Sequence, residues 1–308
     1  MKPARGVRYV VLDFDGTFTE VEKEGEPFTR AYQESFSDLI GKDEAHVKEV
    51  WKTAERRVRQ DPDRFGGFED AGKIVAPPCD PYLRANAVSR IMCQRFQVLK
   101  DAQLRNEVLT ALYRRAYRQT ATCFREDAAR TLDAILALPG IEVFVVTNAV
   151  PTTVKTKIAQ LGSKLATEAR PLVVGEAYKF GIGDKALDPS GSVSAGLRAK
   201  LPEWASRFQA VPESLEAKGV GRPIFLRRNS YFRVLRDQVW KEDLAGPEAT
   251  IVVGDVYELD LALPAALGAY VHLVTREETP PHEVSIVEGL ERGAVSPDLG
   301  AVLARLGG

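Results

Sequence analysis

Apolar runs of four to seven residues, each closing on small or polar residues, recur along the chain at 9–14 (YVVLDF), 141–147 (IEVFVVT), 172–175 (LVVG), 250–254 (TIVVG) and 269–274 (AYVHLV). Runs this short, rich in valine and isoleucine, suit strands buried on both faces of a parallel sheet. Between them the apolar residues fall at helical spacing. Segment 126–138 is rich in alanine and leucine and closes on Pro139-Gly140, while 154–161, 231–240 and 259–267 fill equivalent slots. Alternation of this kind predicts an α/β fold with a parallel sheet covered by helices on both faces.

One long block breaks the alternation. From residue 22 to residue 121 the pattern offers helices only: Phe28, Tyr32, Phe36 and Ile40 step by four, followed by Val88, Met92, Phe96 and Leu99, then Leu104, Val108 and Leu112. The middle of the block, 61–86, holds Gly66-Gly67 and Pro77-Pro78 and is expected to be loop. The predicted organisation is therefore a Rossmann-like α/β core, residues 1–21 and 122–308, interrupted by an α-helical domain at 22–121. Segment 176–221, rich in glycine, proline and serine, is expected to be an irregular excursion with one hairpin and one helix.

Charge narrows the possible partners. Of 308 residues, 42 are lysine or arginine and 43 aspartate or glutamate, for a formal net charge of −1. That balance argues against binding nucleic acid through bulk positive charge. The apolar runs stop far short of the ~20 residues needed to cross a bilayer, so no membrane partner is expected. Asp13 and Asp15 interrupt the one apolar stretch near the N-terminus, which does not read as a signal peptide. Cys79, Cys93 and Cys123 are too few and too scattered for a disulfide framework and lack zinc-ligand spacing. The expected setting is cytoplasmic.

Three strand ends carry candidate chemistry. The first run leads into Asp13-Phe14-Asp15-Gly16-Thr17, which places two carboxylates at the C-terminal edge of a sheet, where open α/β folds bind ligands. Two such carboxylates repel, so a nearby cation lowers the cost of ionising both. The run at 250–254 ends in Asp255, with Asp260 five residues on, and together these oxygens form a set suited to Mg²⁺. The run at 141–147 ends in Thr147-Asn148, a hydroxyl and free backbone N–H groups ahead of a helix, suited to one phosphate oxygen. Each signal alone reads equally as a strand end, a turn or a helix cap.

In this order the three motifs resemble the haloacid dehalogenase (HAD) superfamily of phosphohydrolases and phosphotransferases. The resemblance covers the core outside 22–121 and implies that Asp13 is the nucleophile and Asp15 the general acid/base. It further implies that Thr147 donates to a phosphate oxygen and that Mg²⁺ is held by Asp13, Asp255 and the backbone carbonyl of Asp15, with Asp260 in support. An insertion after the first strand is where that family carries a helical cap. The family also requires a cation between the second and last motifs, usually a lysine followed by proline. This sequence has no such pair there; the candidates are Lys179, Lys185, Arg222, Arg227 and Arg228. Arg228 is favoured, with Arg227 next, because IFLRRNSYFRVL reads as strand, basic pair, helix, and an arginine fork can hold phosphate bidentately. Lys179 and Arg222 stand at no strand-to-helix junction in this reading and are expected to matter much less. His46, His272 and His282 receive no role.

The activity this resemblance implies is Mg²⁺-dependent hydrolysis of a small phosphorylated metabolite through an aspartyl-phosphate. A phosphomutase on the same scaffold and a non-catalytic binding or regulatory protein are the rival readings. Asp15 argues for phosphate chemistry, because the resemblance gives a dehalogenase of the same fold no role for an acid there.

Overall fold

The computed structural model describes residues 4–65, 67–162, 165–183 and 193–307; Lys185, one of the candidate cations, lies outside them. The chain divides into two units: Met1–Thr19, Asp70–Val75 and Phe124–Gly308 form one, and Glu20–Glu69 with Ala76–Cys123 the other.

The chain opens with β1 (Tyr9–Leu12) and then runs through α1 (Val21–Ile40), α2 (Glu44–Gln60), α3 (Pro62–Phe65), the short strands β2 (Phe68–Asp70) and β3 (Lys73–Ala76), α4 (Pro81–Phe96) and α5 (Ala102–Tyr117). The second unit is built on α1, α2, α4 and α5. Phe28, Tyr32, Phe36, Val47, Trp51, Val58, Val88, Met92 and Leu109 form its apolar core. Asp43, Asp80 and Asp101 cap α2, α4 and α5 by accepting from backbone N–H groups. The predicted stripe on α5 is displaced: Leu104 is exposed, and Leu109 and Ala116 are buried instead. The expected loop at 61–86 holds α3, the two-stranded sheet of β2 and β3, and the start of α4.

The core unit continues with α6 (Ala128–Leu136), β4 (Glu142–Val146), α7 (Pro151–Gly162), β5 (Leu172–Val174), α8 (Ala195–Ala210), β6 (Ser214–Leu215), β7 (Ile224–Phe225) and α9 (Asn229–Val234). It ends with β8 (Thr250–Gly254), α10 (Ala262–Ala266), β9 (Tyr270–Val274), α11 (Pro281–Gly289), β10 (Gly293–Ser296) and α12 (Ala301–Leu306). Six strands make one sheet in the order β10-β9-β8-β1-β4-β5. Every pairing in it is parallel. Alternate residues of the central strands enter opposite layers. Tyr9, Val11, Phe144, Val146 and Val252 pack with Trp204, Phe208, Phe232 and Trp240. Val10, Leu12, Val143, Val145, Ile251 and Val253 pack with Leu132, Ile135, Ile158 and Val302. This is the α/β, Rossmann-like core that the alternation predicts. Strand β10 (GAVS), too short and too weakly apolar to stand out in the sequence, adds one edge; the excursion at 176–221 supplies α8 and half of the β6–β7 hairpin.

The strand order positions the chemistry. Strand β1 lies between β4 and β8, and Leu12 pairs with Val145 on one side and Val253 on the other. The residues just beyond these pairs, Asp13, Thr147 and Asp255, therefore leave the sheet side by side at its C-terminal edge. No helix among the described residues is long and apolar enough to cross a membrane.

Phe28 is fully buried, with ring centroids 5.0–5.8 Å from those of Tyr32, Tyr82 and Tyr113. Phe28→Ala should cost the helical unit about 3–5 kcal/mol, read from the urea midpoint followed by far-UV circular dichroism.

Candidate active site

Three carboxylates meet at the sheet edge. One oxygen from each of Asp13, Asp255 and Asp260 lies within 4.8 Å of the others, and all three side chains are buried. Asp13 leaves β1, its N–H donating to Val253 O at 2.9 Å. Asp255 leaves β8. Asp260 comes from the π-helical turn that follows (Tyr257–Leu261), and its Oδ2 accepts from Val256 N at 3.1 Å, closing that turn. A π-helical turn places Asp260 back over the strand end, and Gly254 makes room for it, because a Cβ at Gly254 would strike the Asp260 side chain. Gly16 has the same part opposite: it takes φ +89°, and a Cβ there would run into the Asp255 carboxylate. Thr17 Oγ1 lies 3.3 Å from Asp13 Oδ2 and 3.4 Å from Asp255 Oδ1, so one hydroxyl spans two of the three carboxylates. Arg125 holds the turn from outside, donating to the Gly16 carbonyl from Nε at 3.3 Å and Nη2 at 3.0 Å.

The cation at the centre is Lys179. Its Nζ donates to Asp13 Oδ1 at 2.6 Å and to Asp260 Oδ1 at 2.8 Å, and the residue is 1% exposed. Burial acts to lower the Lys179 ammonium, but Asp13 and Asp260 outweigh it and hold it above its ordinary value, so the group is cationic at neutral pH. Burial pushes the Asp13 carboxyl well above the ordinary carboxylate range; Lys179 opposes that shift, while Asp260 and Asp255 add to it. Arg276, on the loop after β9, reaches Asp255 Oδ2 with Nε at 2.8 Å. Two cations thus face three buried carboxylates. The three converging hard oxygen donors fit a Mg²⁺ ion held by Asp13, Asp255 and Asp260, whose charge would favour the ionised form of each.

Asp15 stands apart from this cluster: its Oδ1 pairs with Lys157 Nζ of α7 at 2.9 Å. Thr147 is buried, with Oγ1 accepting from Ala149 N at 3.1 Å. Asn148 is exposed, and its side chain serves a purpose the sequence did not suggest: Oδ1 accepts from the backbone N–H of Lys179 at 2.7 Å.

The expectation for Arg228 is corrected. Its guanidinium is fully buried away from the three carboxylates, with Nε donating to Phe225 O at 2.8 Å, Nη1 to the Val75 and Phe180 carbonyls, and Nη2 to Glu258 at 3.4 Å. Burial lowers it to about 10, with Glu258 acting the other way, and it stays charged. With every arm of the fork occupied inside the core, Arg228 has none to offer a substrate. Arg227 donates to the Val211 and Gln209 carbonyls at the end of α8, and Arg222 pairs with Glu258 at 2.8 and 3.1 Å. The cation that lies on Asp13 is Lys179, not Arg228. A signal for it existed: Lys179 is the first cation after the run at 172–175, and a loop leaving a parallel strand opens onto the same edge as Asp13. Arg276 follows β9 in the same way. Lys157, in the interior of a helix, carried no such mark.

Gly16→Ala, which meets both a left-handed φ and the Asp255 carboxylate, should cost about 1–3 kcal/mol of stability in urea unfolding. A pH effect follows from Glu283 of α11. Its carboxyl is fully buried, accepts from Tyr257 N at 2.9 Å beneath the Asp255–Asp260 turn, and is pushed up to about 8 by burial, with that hydrogen bond acting against the shift. A carboxyl that titrates higher folded than unfolded binds more protons in the native state, so its contribution is complete below about pH 4.5 and is lost as pH rises toward 8. Glu283→Gln should therefore lose about 2–4 kcal/mol less stability than the wild type between pH 5 and 8. Parallel urea midpoints across that range check this.

The chain matches the family described as haloacid dehalogenase-like hydrolase over residues 7–181. No curated protein matches it. Among solved structures, it is similar to the HAD hydrolase YfnB of Bacillus subtilis bound to magnesium, at 12% identity and TM-score 0.48 over 98% of this chain and 99% of that one. It is also similar to a predicted phosphoglycolate phosphatase of Haemophilus somnus, at 11% identity and TM-score 0.49 over 97% of each chain. A 2-haloacid dehalogenase of Pseudomonas syringae is a third, at 12% identity and TM-score 0.43 over 98% of each. With the family match spanning more than half of its length and including Asp13, Thr147 and Lys179, the protein belongs to the haloacid dehalogenase-like hydrolases.

Proposed function

We propose that the protein is a Mg²⁺-dependent phosphohydrolase that cleaves a small phosphorylated metabolite through an aspartyl-phosphate on Asp13. The observation that carries this reading is the Lys179 ammonium set between Asp13 and Asp260 beside Asp255, with a second acid, Asp15, two residues from Asp13. The Lys179 ammonium on Asp13 supplies the cation that a missing Lys-Pro pair would otherwise leave lacking, which supports a catalytic over a non-catalytic reading.

Asp13, Asp255 and Asp260 would hold the ion, which when bound neutralises phosphate charge and favours in-line attack. Asp13 attacks phosphorus, forming the Asp13 Oδ–P bond as the bond from phosphorus to the leaving oxygen breaks. Asp15 delivers a proton to that oxygen, and the alcohol departs. Asp15 then takes a proton from water as its oxygen attacks phosphorus, releasing inorganic phosphate and restoring the Asp13 carboxylate. One difficult displacement becomes two easier ones. Lys179 keeps Asp13 oriented and offsets charge on the transferring group, and Thr147 with nearby backbone N–H groups receives a phosphate oxygen. Lys157 holds Asp15 in place. The helical unit is assigned the part of the cap. A cytoplasmic setting suits the free Cys79, Cys93 and Cys123, and neither nucleic acid nor membrane enters the scheme.

The test is hydrolysis of p-nitrophenyl phosphate and of a panel of phosphorylated metabolites, with Mg²⁺ and with chelator. Turnover should require Mg²⁺ and vanish in Asp13→Asn with the fold retained. Lys179→Ala should lower kcat/KM by about 2–4 kcal/mol, as expected for one preorganised donor, and Arg222→Ala by only a few-fold. Asp13→Asn turnover within a few-fold of wild type would remove Asp13 as the nucleophile, and inactivity of the wild type on the whole panel would remove the reading.

A further inference from the structure

Segment 179–183 carries the central cation, yet it is neither strand nor helix. Its backbone groups have no ladder to join: Gly181 bonds to backbone, its N–H donating to Tyr178 O at 2.8 Å and its carbonyl accepting from Ser230 N at 3.4 Å, and side chains satisfy the groups on either side. They do so from three directions. Arg228 donates to the Phe180 carbonyl, at 3.3 Å, from the same Nη1 that donates to Val75 O. Its neighbour Asn229 donates from Nδ2 to Ile182 O at 2.9 Å and to Gly183 O at 2.6 Å. Asp70 Oδ2 accepts from Ile182 N at 2.7 Å and from Gly183 N at 3.2 Å. Just upstream the chain is strained: Glu176 and Tyr178 take φ of +50° and +45°, a region that side-chain-bearing residues adopt at a cost. Such a conformation persists only where the surroundings over-determine it.

We propose that Arg228 is a positioning residue: its guanidinium clamps Phe180 to Val75 and Phe225, and so holds Lys179, one residue away, between Asp13 and Asp260. The proposal rests on the reading of Lys179 as the cation that serves the nucleophile Asp13. Arginine suits the task because a planar fork reaches three carbonyls in three chain segments, whereas an ammonium is a single point of charge. Glu258, which also takes Arg222, fixes the far side of that fork. Asp70 is the second brace. It lies in the six-residue stretch 70–75 that belongs to the core unit, and Val75, at the end of that stretch, accepts from Arg228.

Two measurements on Arg228→Gln, Arg228→Lys and Asp70→Ala test this. The first is the rate at which a small acylating reagent modifies Lys179, read by peptide mass spectrometry against exposed Lys241 in the same molecules. Wild-type Lys179, buried and ion-paired, should react slowly. Arg228→Gln should raise its rate at least about tenfold with Lys241 unchanged, and Asp70→Ala should raise it less; an arginine that only stabilises the core would leave it unmoved. The second is a double-mutant cycle. Arg228→Gln should lower kcat/KM about 10- to 100-fold in the wild-type background but less than about threefold in Lys179→Ala, because the damage passes through Lys179. Arg228→Lys should recover only a minor part of the loss. Arg228→Lys keeps the buried charge while losing the fork, so its Lys179 labelling decides the matter even if Arg228→Gln does not fold; Asp70→Ala tests the second brace by itself. Unchanged Lys179 labelling in every folded variant, or losses that multiply with Lys179→Ala, would overturn the proposal. A wild type that hydrolyses no phosphate ester would defeat the functional reading alone, since the labelling comparison still decides whether Arg228 holds Lys179.

Discussion

An ammonium with 1% exposure can remain charged only beside carboxylates, and the core unit is arranged around meeting that demand for Lys179. The partners come from separated parts of the sheet: Asp13 from the end of β1, Asp260 from the turn after β8, and Lys179 itself from beyond β5. Only a strand order that sets β8 and β4 against β1, with β5 outside β4, brings these ends to one place. Buried ion groups of this kind contribute little net stability, because desolvation consumes most of the Coulombic gain, whereas removal of one member leaves an uncompensated charge. The cluster is therefore better understood as fixing an arrangement than as holding the fold together. The apolar layers on the two faces of the sheet do that.

The same constraint explains the turn geometry. Three carboxylates can converge only if the backbone between them stays clear, and both glycines in the motifs lie where a methyl group would collide with a carboxylate partner: Gly16 with Asp255, Gly254 with Asp260. Thr17 and Arg125 then fix the turn after Asp13, one from within and one from outside.

What the sequence revealed follows from how local each signal is. Strands β1, β4 and β8 are dense in valine and isoleucine, and their carboxylates or hydroxyl come immediately after, so pattern and chemistry coincide within a few residues. Strand β10 has one valine flanked by small residues, and its partner β9 pulls it into the sheet. Arg228 misled for a physical reason: a strand-to-helix junction is a good place to meet a phosphate, and equally a place where backbone carbonyls lack partners. Composition does not distinguish an arginine serving the first need from one serving the second. Lys179 was obscured because its contacts are to side chains 31 to 166 residues away in sequence, Asn148, Asp260 and Asp13, and no local period records such contacts.

The contact between Thr17 and Asp255 spans 238 residues of sequence. Of the six strands in the sheet, β1 is the first made and lies in its interior, so it must wait for β4 on one side and, much later, β8 on the other. The helical unit, by contrast, has its whole sequence in hand by residue 123 and can build its core while most of the sheet is still unmade. During synthesis Asp13 therefore exists for most of the chain's growth as an ordinary carboxylate beside an unpaired strand edge. A chain that stops before Asp260 carries the aspartate pair without the cluster, so the motif at residues 13–17 is present in sequence long before the arrangement it belongs to exists in space.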